Sequence, residues 1–284
     1  MSGKIPLSKL SPEGLRKALF YAEAEAGLYD QNIKKVVPEY QLAHTMLLDL
    51  LSDRFQEVGG SDEEATGSIL DVGAGTGQEA LAILSRFPRV RVVAVDLSRP
   101  ILDVFERKLK RRPNMRARCE IVCGDIIGEY CTPERLRETL LESERGLGFQ
   151  GVVSAFTLHH LESEEKAEVF RRIHSLLAGG GLFLNLDLYT FQSSRLAKQA
   201  LDFDLAWIDR HFGLLEEGVT SPALKHLGEL WKEHYLKYNR TEPVERGDDH
   251  SPTPGQEEML RRIGFRETAM PFRYWQSGIL WARK

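Results

Sequence analysis

The stretch ILDVGAGTGQEA, residues 69–80, decides the fold. A short apolar run leads into Gly73, Gly75 and Gly77, and a helical pattern follows. Glycine lets the backbone turn sharply and lets a ligand approach closely, and a helix N-terminus offers N–H groups to a carboxylate. The stretch therefore predicts a strand, a ligand-binding turn and a helix. The G-x-G-x-G spacing after Asp71 differs from the GxGxxG that cradles a dinucleotide pyrophosphate.

Short apolar runs alternate with helical patterns on the C-terminal side of this turn, which is typical of βαβ units and a parallel sheet. The predicted helices span residues 77–87 and 163–177, with two more opened by Ser98 and by Thr132. Two further runs near the C-terminus predict an antiparallel strand pair. The predicted strands are residues 68–72, 90–96, 118–123, 151–158, 181–189, 268–274 and 278–283.

The flanking segments differ from this core in pattern. Residues 193–239 are helical in pattern and rich in aromatic residues, including Trp207, and a polar loop follows at 240–253. Thr253 and Gln256 predict a capping box for a last helix. The predicted organisation is an N-terminal helical segment (1–67), a Rossmann-like cofactor-binding core (68–190), a helical cap insertion (191–253) and a C-terminal helix with a strand pair (254–284).

Composition and charge favour a globular protein of average type. Of 284 residues, 42% are hydrophobic and 28% charged, enough to build a large core. Lys and Arg total 38 against 42 Asp and Glu, a net charge of −4. Because phosphate backbones attract an excess of positive charge, this balance disfavours nucleic acid as a partner.

The sequence has no long apolar targeting segment and no cysteine spacing typical of a disulfide framework or a metal site. No apolar run is long enough for a signal peptide or a membrane span, so we expect a cytoplasmic location and no membrane partner. Cys119, Cys123 and Cys131 form no CxxC pair, so neither a disulfide framework nor a metal site is expected.

Two aspartates follow neighbouring strands of the predicted sheet. Asp96 ends the second strand about twenty residues after the glycine turn, where an acidic side chain can accept both ribose hydroxyls of a nucleoside. Asp125 follows the third strand at the same edge, where a carboxylate can accept an adenine amino group. The alternatives are a helix cap for Asp96 and an ordinary turn residue for Asp125. We favour the nucleoside interpretation, because Ser98 and Pro100 already suit the start of the next helix.

Taken together, these motifs resemble class I S-adenosylmethionine-dependent methyltransferases. The resemblance implies a mostly parallel seven-stranded sheet with an antiparallel last strand, N-terminal helices and a helical cap, and S-adenosylmethionine as cofactor. The residues that carry it are LDVGAGTG (70–77), VDLS (95–98), CGDI (123–126), FTLHHL (156–161) and LLAGGGLFL (176–184).

VVPEY, residues 36–40, is similar to a motif of carboxy-S-adenosylmethionine synthases and neighbouring small-molecule methyltransferases. The synthases place this tyrosine on the amino-acid end of the cofactor, which implies that role for Tyr40. Ala155 replaces an asparagine of the synthases, and their arginine for the extra carboxylate has no assignable counterpart, so ordinary methyl transfer is preferred. The predicted cofactor-binding residues are Tyr40, Asp71, Gly73, Ala74, Gly75, Gly77, Asp96, Leu97, Asp125, Ile126, Ala155 and Phe156.

The acceptor side of the site is less defined in the sequence. The absence of a DPPY-like motif disfavours nucleobase methylation, and the aromatic-rich cap favours a small, partly apolar acceptor. No catalytic residue is assigned. A histidine is suited to proton transfer near neutral pH, although an HH pair after a strand is also typical of packing. The candidate substrate contacts are Tyr29, His159, His160 and Tyr189.

Three functional classes follow from these observations. The preferred one is methyl transfer from S-adenosylmethionine to a small molecule. The alternatives are an enzyme similar to carboxy-S-adenosylmethionine synthase and a catalytically silent protein that binds the same cofactor. The identity of the acceptor and its methylated atom stay open, and so does assembly as a homodimer.

Overall fold

The computed structural model describes residues 33–57, 60–213 and 251–284, together with residues 225, 228, 229, 231, 232 and 236. The helices expected before residue 33, the candidate contact Tyr29 and the loop expected at 240–250 lie outside these residues. Within them, no helix has both the length and the apolar character needed to cross a bilayer.

A seven-stranded sheet forms the centre of the molecule, in the order β3-β2-β1-β4-β5-β7-β6. The first five strands in this order pair in parallel, and β7 runs antiparallel to both β5 and β6. This confirms the predicted α/β class with its antiparallel strand. The strands are β1 (Gly67–Val72), β2 (Val90–Asp96), β3 (Cys119–Cys123), β4 (Phe149–Ala155), β5 (Leu177–Leu188), β6 (Glu267–Tyr274) and β7 (Ser277–Arg283).

Helices cover both faces of the sheet and bury two apolar clusters. The residues of α1, α2 and α3 pack with Ile69 and Leu184 on one face, and those of α5, α6 and α8 pack with Leu70 and Phe183 on the other. This alternation is the period-two pattern of a strand that is buried on both sides. The helices are α1 (Tyr40–Glu57), α2 (Gln78–Arg86), α3 (Arg99–Lys110), α4 (Pro113–Arg116), α5 (Pro133–Glu138), α6 (Ser163–Leu176), α7 (Ser194–His211) and α8 (Thr253–Ile263).

The carboxyl ends of the parallel strands meet at one edge of the sheet. Val72, near the end of β1, pairs with Val95 of β2 and with Ser154 of β4. The chain builds outward from β1 to β3 and then crosses over to β4, so the strand order reverses between β1 and β4. In open α/β sheets, ligands bind in the crevice at this reversal point, outside the carboxyl ends of the strands.

The fourth and fifth strands differ from their predicted ranges. β4 ends at Ala155 rather than at residue 158, because Phe156 adopts a left-handed backbone (φ +48°) and Leu158–His160 form a 3₁₀ turn. β5 begins at Leu177 rather than at residue 181. The apolar run FTLHHL therefore leaves the sheet at its carboxyl edge instead of extending it.

The predicted capping box of the last helix is wrong. Helix α8 begins at Thr253 and its N-cap position is Pro252, with no side-chain capping bond. The Thr253 hydroxyl instead accepts a hydrogen bond from the Arg273 guanidinium of β6, with an Oγ1–Nη1 distance of 2.9 Å. Gln256 donates to the carbonyl of Ser251. The Thr253 hydroxyl is therefore used in the contact between α8 and β6 and not in capping its own helix.

Candidate cofactor and acceptor site

The glycine turn is held against the end of β2. The N–H groups of Gly73 and Ala74 both donate to the carbonyl of Val95, at 2.8 and 3.0 Å. Gly73, Gly75 and Gly77 have φ values of +73°, +54° and +81°, in the left-handed region that favours glycine. The alternating spacing is therefore required by the backbone itself.

The three glycines differ in what surrounds them. A Cβ on Gly73 would lie 2.2 Å from the Thr157 side chain, and one on Gly77 would lie 2.0 Å from the ring of Phe105. A Cβ on Gly75 would approach no described atom more closely than 3.9 Å. Gly73 and Gly77 thus permit close packing within the protein, whereas Gly75 faces open space into which a ligand can approach.

Asp96 is fixed by two backbone donors at the end of β2. Its Oδ2 accepts from the N–H of Gly75 at 2.8 Å, and its Oδ1 accepts from the N–H of Ser98 at 2.7 Å. Burial raises the pKa of this carboxyl, and the two hydrogen bonds oppose that shift. Each oxygen has a second lone pair available for a ligand hydroxyl.

Helix α3 starts after Ser98 as predicted, but its capping bond comes from another residue. Ser98 occupies the N-cap position, but its side chain makes no capping bond, and the Asp96 carboxylate binds the Ser98 N–H instead. Asp96 serves both the helix start and the glycine turn, so the two interpretations weighed from the sequence are not exclusive.

Asp125 and its neighbours lie beside Asp96. Parallel pairing places Cys123 of β3 opposite Asp96, and the N–H of Gly124 donates to the Asp96 carbonyl. The Asp125 carboxylate accepts from the N–H of Ile127 at 3.0 Å, which closes a tight turn after the strand. Ile126 is buried, and Asp125 and Leu97 are partly exposed.

Asp71 is fully buried on the face of β1 that packs against α2. Burial raises its pKa well above the usual range, and the negative charges of Glu79 and Asp96 add to that shift. His44 of α1 approaches the same cluster, with an Nδ1–Oε1 distance of 2.8 Å to Glu79. The sequence had placed Asp71 among the cofactor contacts, and the structure places its carboxyl in the interior. His44 and Glu79 had no sequence signal, because only the packing of α1 on α2 brings them together.

Tyr40 and Phe156 form a ring stack at the mouth of the site. Their centroids are 5.7 Å apart at an interplanar angle of 17°, and the ring of His44 lies 4.1 Å from that of Tyr40. Phe156 follows Ala155 directly at the end of β4 and keeps its left-handed backbone there. Such a backbone is costly for an aromatic residue, and costly conformations of this kind cluster at functional sites. The structure thus brings together three residues that were predicted to bind the cofactor, namely Tyr40, Ala155 and Phe156.

His159 is paired with Asp187 of β5. Its Nδ1 lies 2.5 Å from Asp187 Oδ1, and its backbone N–H donates to Oδ2 at 3.0 Å. Although burial raises the pKa of Asp187, the charge and hydrogen bond of His159 and the N–H of Leu188 outweigh it and hold the pKa below its usual value. An ionised carboxylate cannot donate, so Nδ1 carries the proton of this bond.

The remaining acceptor candidates differ in accessibility. His160 is partly exposed, and its ring lies 4.0 Å from that of His159. Tyr189 is fully buried, and its hydroxyl donates to the Asn185 carbonyl and accepts from the Asn185 amide. Tyr189 therefore packs in the core, with its hydroxyl already engaged.

Aromatic residues of α7 pack against the β6–β7 turn at the same edge of the sheet. Phe203 stacks on Trp275 at a centroid distance of 5.4 Å and meets the edge of Tyr274 at 5.7 Å. Trp207 lies 6.4 Å from Phe203. Leu188, at the end of β5, pairs with Ser277, so this cluster borders the carboxyl edge of the parallel strands. Across the described ranges, no three His, Cys, Asp or Glu side chains gather as a metal site.

Residues 69–181 match a family model described as a methyltransferase domain. A malonyl-[acyl-carrier protein] O-methyltransferase of Halalkalibacterium halodurans is 33% identical over 86 residues, which is 30% of this chain and 28% of that protein. A protein of the same name from Xylella fastidiosa is 37% identical over 82 residues, which is 28% of this chain and 23% of that protein. The chain thus spans less than a third of the length of these curated relatives.

Solved structures share the fold across nearly the whole chain. A protein of Methanococcus maripaludis assigned as an S-adenosyl-L-methionine-dependent methyltransferase has a TM-score of 0.55 at 17% identity, covering 93% of this chain and 94% of that one. DhpI in a DhpI–SAM–HEP complex has a TM-score of 0.52 at 17% identity, covering 96% and 98%.

Residues 69–181 therefore carry a methyltransferase domain, in a fold shared with S-adenosylmethionine-dependent methyltransferases, whose cofactor is S-adenosylmethionine. The residues present fit such a group. Gly75 leaves open space beside the turn, and Asp96 keeps acceptor capacity on both carboxylate oxygens.

Proposed function

We propose that this protein transfers a methyl group from S-adenosylmethionine to a small-molecule acceptor at the carboxyl edge of the sheet. The observation that carries the proposal is the Asp96 carboxylate, fixed by the N–H groups of Gly75 and Ser98 beside an open glycine turn. The glycine turn follows β1 and borders the reversal point between β1 and β4, where α/β sheets bind their ligands.

Each part of the cofactor has a proposed partner in this chain. Asp96 would accept the ribose hydroxyls, and Asp125, with Leu97 and Ile126 beside it, would hold the adenine. The backbone of the glycine turn and Tyr40 would bind the amino-acid end. Helix α2 begins directly after Gly77 without a side-chain cap among the described residues, which suits a carboxylate near its N-terminus.

The cofactor supplies an electrophilic methyl group on a positively charged sulfur. This chain contributes mainly alignment and exclusion of water, because displacement from a good leaving group requires the nucleophile to be held in line. Phe156 and Tyr40 present a stacked apolar wall at the end of β4. His159 is held in one orientation by Asp187, so its position relative to that wall is fixed.

A small and partly apolar acceptor suits the surroundings of the site. Phe203, Trp207 and Trp275 form an aromatic cluster between α7 and the β6–β7 turn. Clefts lined by aromatic side chains with a few polar groups are typical sites for small ligands. The curated relatives are named for a malonyl group on an acyl-carrier protein, but their similarity is confined to about a third of this chain, so we do not carry that acceptor over.

The experiment is a turnover assay with S-adenosylmethionine labelled on the methyl group. The purified protein is incubated with a panel of small molecules bearing hydroxyl, amino, thiol or acidic carbon groups, and mass spectrometry detects S-adenosylhomocysteine and the labelled product. We expect equal amounts of both with at least one acceptor. Cofactor binding without product from any acceptor would favour the silent binding protein.

A further inference from the structure

Helix α7 buries a carboxyl group in its apolar stripe. The buried residues of the helix are Ala200, Asp204 and Ile208, spaced four apart on one face. Asp204 is only 1% exposed, and among the described residues its Oδ2 has no hydrogen-bond partner.

The stripe faces the site described above. Ile208 packs in an apolar cluster with Val37, Tyr40 and Leu188, and Phe156 packs against the same cluster. Leu201 and Leu205, on either side of Asp204 in the helix, also pack against it. Asp204 therefore lies one turn from Ile208 on the face that α7 presents toward the Tyr40–Phe156 ring stack.

Charged groups on the neighbouring elements have other partners or are exposed to solvent. In the segment before α1, Lys34 is exposed, Lys35 lies 5.4 Å from the ring of Phe212, and Glu39 is partly exposed. On β5, Asp187 binds His159. On β6, Arg273 lies over Phe191 and donates to the carbonyls of Tyr189 and Thr190.

The other ionisable groups of α7 either have their own partners or are exposed. Asp202 pairs with Lys198, Asp209 pairs with Lys232, and the His211 ring lies 2.9 Å from the Trp207 carbonyl oxygen. Arg195 and Arg210 are exposed. Within the described chain, no charged neighbour contributes to the pKa shift of Asp204.

A buried carboxyl with no partner is costly to fold around. Burial is the cause that raises the pKa of Asp204 to about 8, so this group is mostly protonated at neutral pH in the ligand-free protein. Native proteins satisfy nearly all buried polar groups, and exceptions with shifted pKa values cluster at functional sites. The burial of Asp204 without a partner therefore indicates that this carboxyl interacts with a ligand.

We propose that Asp204 accepts the proton of the nucleophile during methyl transfer, so that the substrates are small molecules whose nucleophilic O, N or S atom carries a hydrogen. The nucleophilic atom forms a bond to the methyl carbon, the carbon–sulfur bond breaks with its electron pair passing to sulfur, and the nucleophile's proton passes to the Asp204 carboxylate. This inference rests on the proposed function and adds the substrate class and the proton acceptor.

The charge on the cofactor sulfur and the charge on the Asp204 carboxylate explain the use of a buried carboxyl at this position. The positive sulfur of S-adenosylmethionine favours an ionised carboxylate close to it, since an opposite charge within about 4–6 Å lowers a carboxyl pKa by roughly 1–3 units. S-adenosylhomocysteine has a neutral sulfur and gives no such effect. Asp204 is then a base when the reactive cofactor is bound, and it becomes neutral together with the sulfur as the reaction ends.

Calorimetric titration tests this without an acceptor. S-adenosylmethionine and S-adenosylhomocysteine are each titrated into the protein at pH 7 in two buffers of different ionisation enthalpy, which gives the number of protons released. For the wild type we expect roughly 0.4 to 0.9 proton released with S-adenosylmethionine, from a pKa lowered by 1–3 units, and little with S-adenosylhomocysteine. Asp204→Asn should bind both ligands and lose this difference, and Asp202→Asn, exposed on the same helix, should retain it.

Equal proton release for the two ligands in the wild type would overturn the role of Asp204, and this readout does not depend on the folding of any variant. Retention of the difference in Asp204→Asn would overturn it as well. If neither ligand binds the wild type, the proposed function itself fails and this inference fails with it, and that outcome is distinct from binding with equal proton counts.

Discussion

The N–H of Gly75 donates a hydrogen bond to the carboxylate of Asp96 over a separation of 21 residues, with an N–Oδ2 distance of 2.8 Å. This bond joins the glycine turn after β1 to the end of β2. The open face of the turn and the proposed ribose acceptor are therefore fixed relative to each other. A change at either residue should alter the shape of the cofactor site as well as its contacts.

Replacement of Asp96 by alanine should weaken binding of S-adenosylhomocysteine by about 1.5–3 kcal/mol, the range for hydrogen bonds to a charged group. The substitution removes the proposed ribose acceptor and also leaves the Gly75 and Ser98 N–H groups without their partner. Calorimetry measures the affinity, and Asp103→Ala is the matched control, because Asp103 is a half-exposed aspartate of α3 that pairs with Arg99 one helix turn before it. Equal affinities for the wild type and a folded Asp96→Ala would remove Asp96 from the site.

Replacement of Gly77 by alanine should destabilise the fold rather than only the site. The new Cβ would lie 2.0 Å from the ring of Phe105, and the residue has a φ of +81°. Left-handed backbone alone costs an ordinary residue about 1–2 kcal/mol, and overpacking adds about 1–3 kcal/mol. Urea unfolding measures the loss. Gly179→Ala, where no described atom lies within 4 Å of the new Cβ, serves as the control, and a similar loss in both variants would contradict the packing role of Gly77.

Replacement of Asp204 by asparagine should stabilise the protein more at pH 8 than at pH 5. The pKa of Asp204 is raised from 3.8 to about 8 on folding. Above pH 4 the unfolded chain ionises this group while the folded protein keeps it protonated. The contribution of Asp204 to the free energy of unfolding therefore falls up to pH 8 and then levels off. The linkage is about 1.4 kcal/mol for each pH unit in this window, as an upper value.

Thermal melting of the wild type and of Asp204→Asn at both pH values checks this linkage. The gain in melting temperature of the variant should be larger at pH 8. Asp202→Asn should show no comparable change between the two pH values, because Asp202 is exposed beside Lys198. A constant difference between wild type and Asp204→Asn would indicate that burial does not raise the pKa of Asp204.

The strands of the parallel sheet and the glycine turn could be predicted because their signals are local. The glycine spacing reflects backbone conformations that only glycine adopts readily, and the structure gives all three residues positive φ values. Asp96 follows an apolar strand at the interval expected for a βαβ unit. Helix caps were less predictable. The Ser98 N–H binds the Asp96 carboxylate, while the Ser98 side chain makes no capping bond. The Thr253 hydroxyl binds Arg273 instead of capping its own helix.

The polar groups around the proposed acceptor site could not be predicted because they depend on packing between distant elements. Asp204 belongs to a helical pattern that also carries Asp202 and Asp209, and only the docking of α7 makes Asp204 the buried one of the three. His159 was named as a candidate, but its partner, Asp187, lies 28 residues away on the neighbouring strand. Pattern alone does not specify such pairs.

The most direct measurement of the central claim is the melting temperature of the wild-type protein with saturating S-adenosylmethionine, S-adenosylhomocysteine or NAD. We predict that both adenosyl compounds raise it and that NAD does not, because the turn from Gly73 to Gly77 and the acceptor Asp96 suit a nucleoside joined to an amino acid rather than to a pyrophosphate. A rise with NAD, or no rise with either adenosyl compound, would contradict the assignment of this site to S-adenosylmethionine.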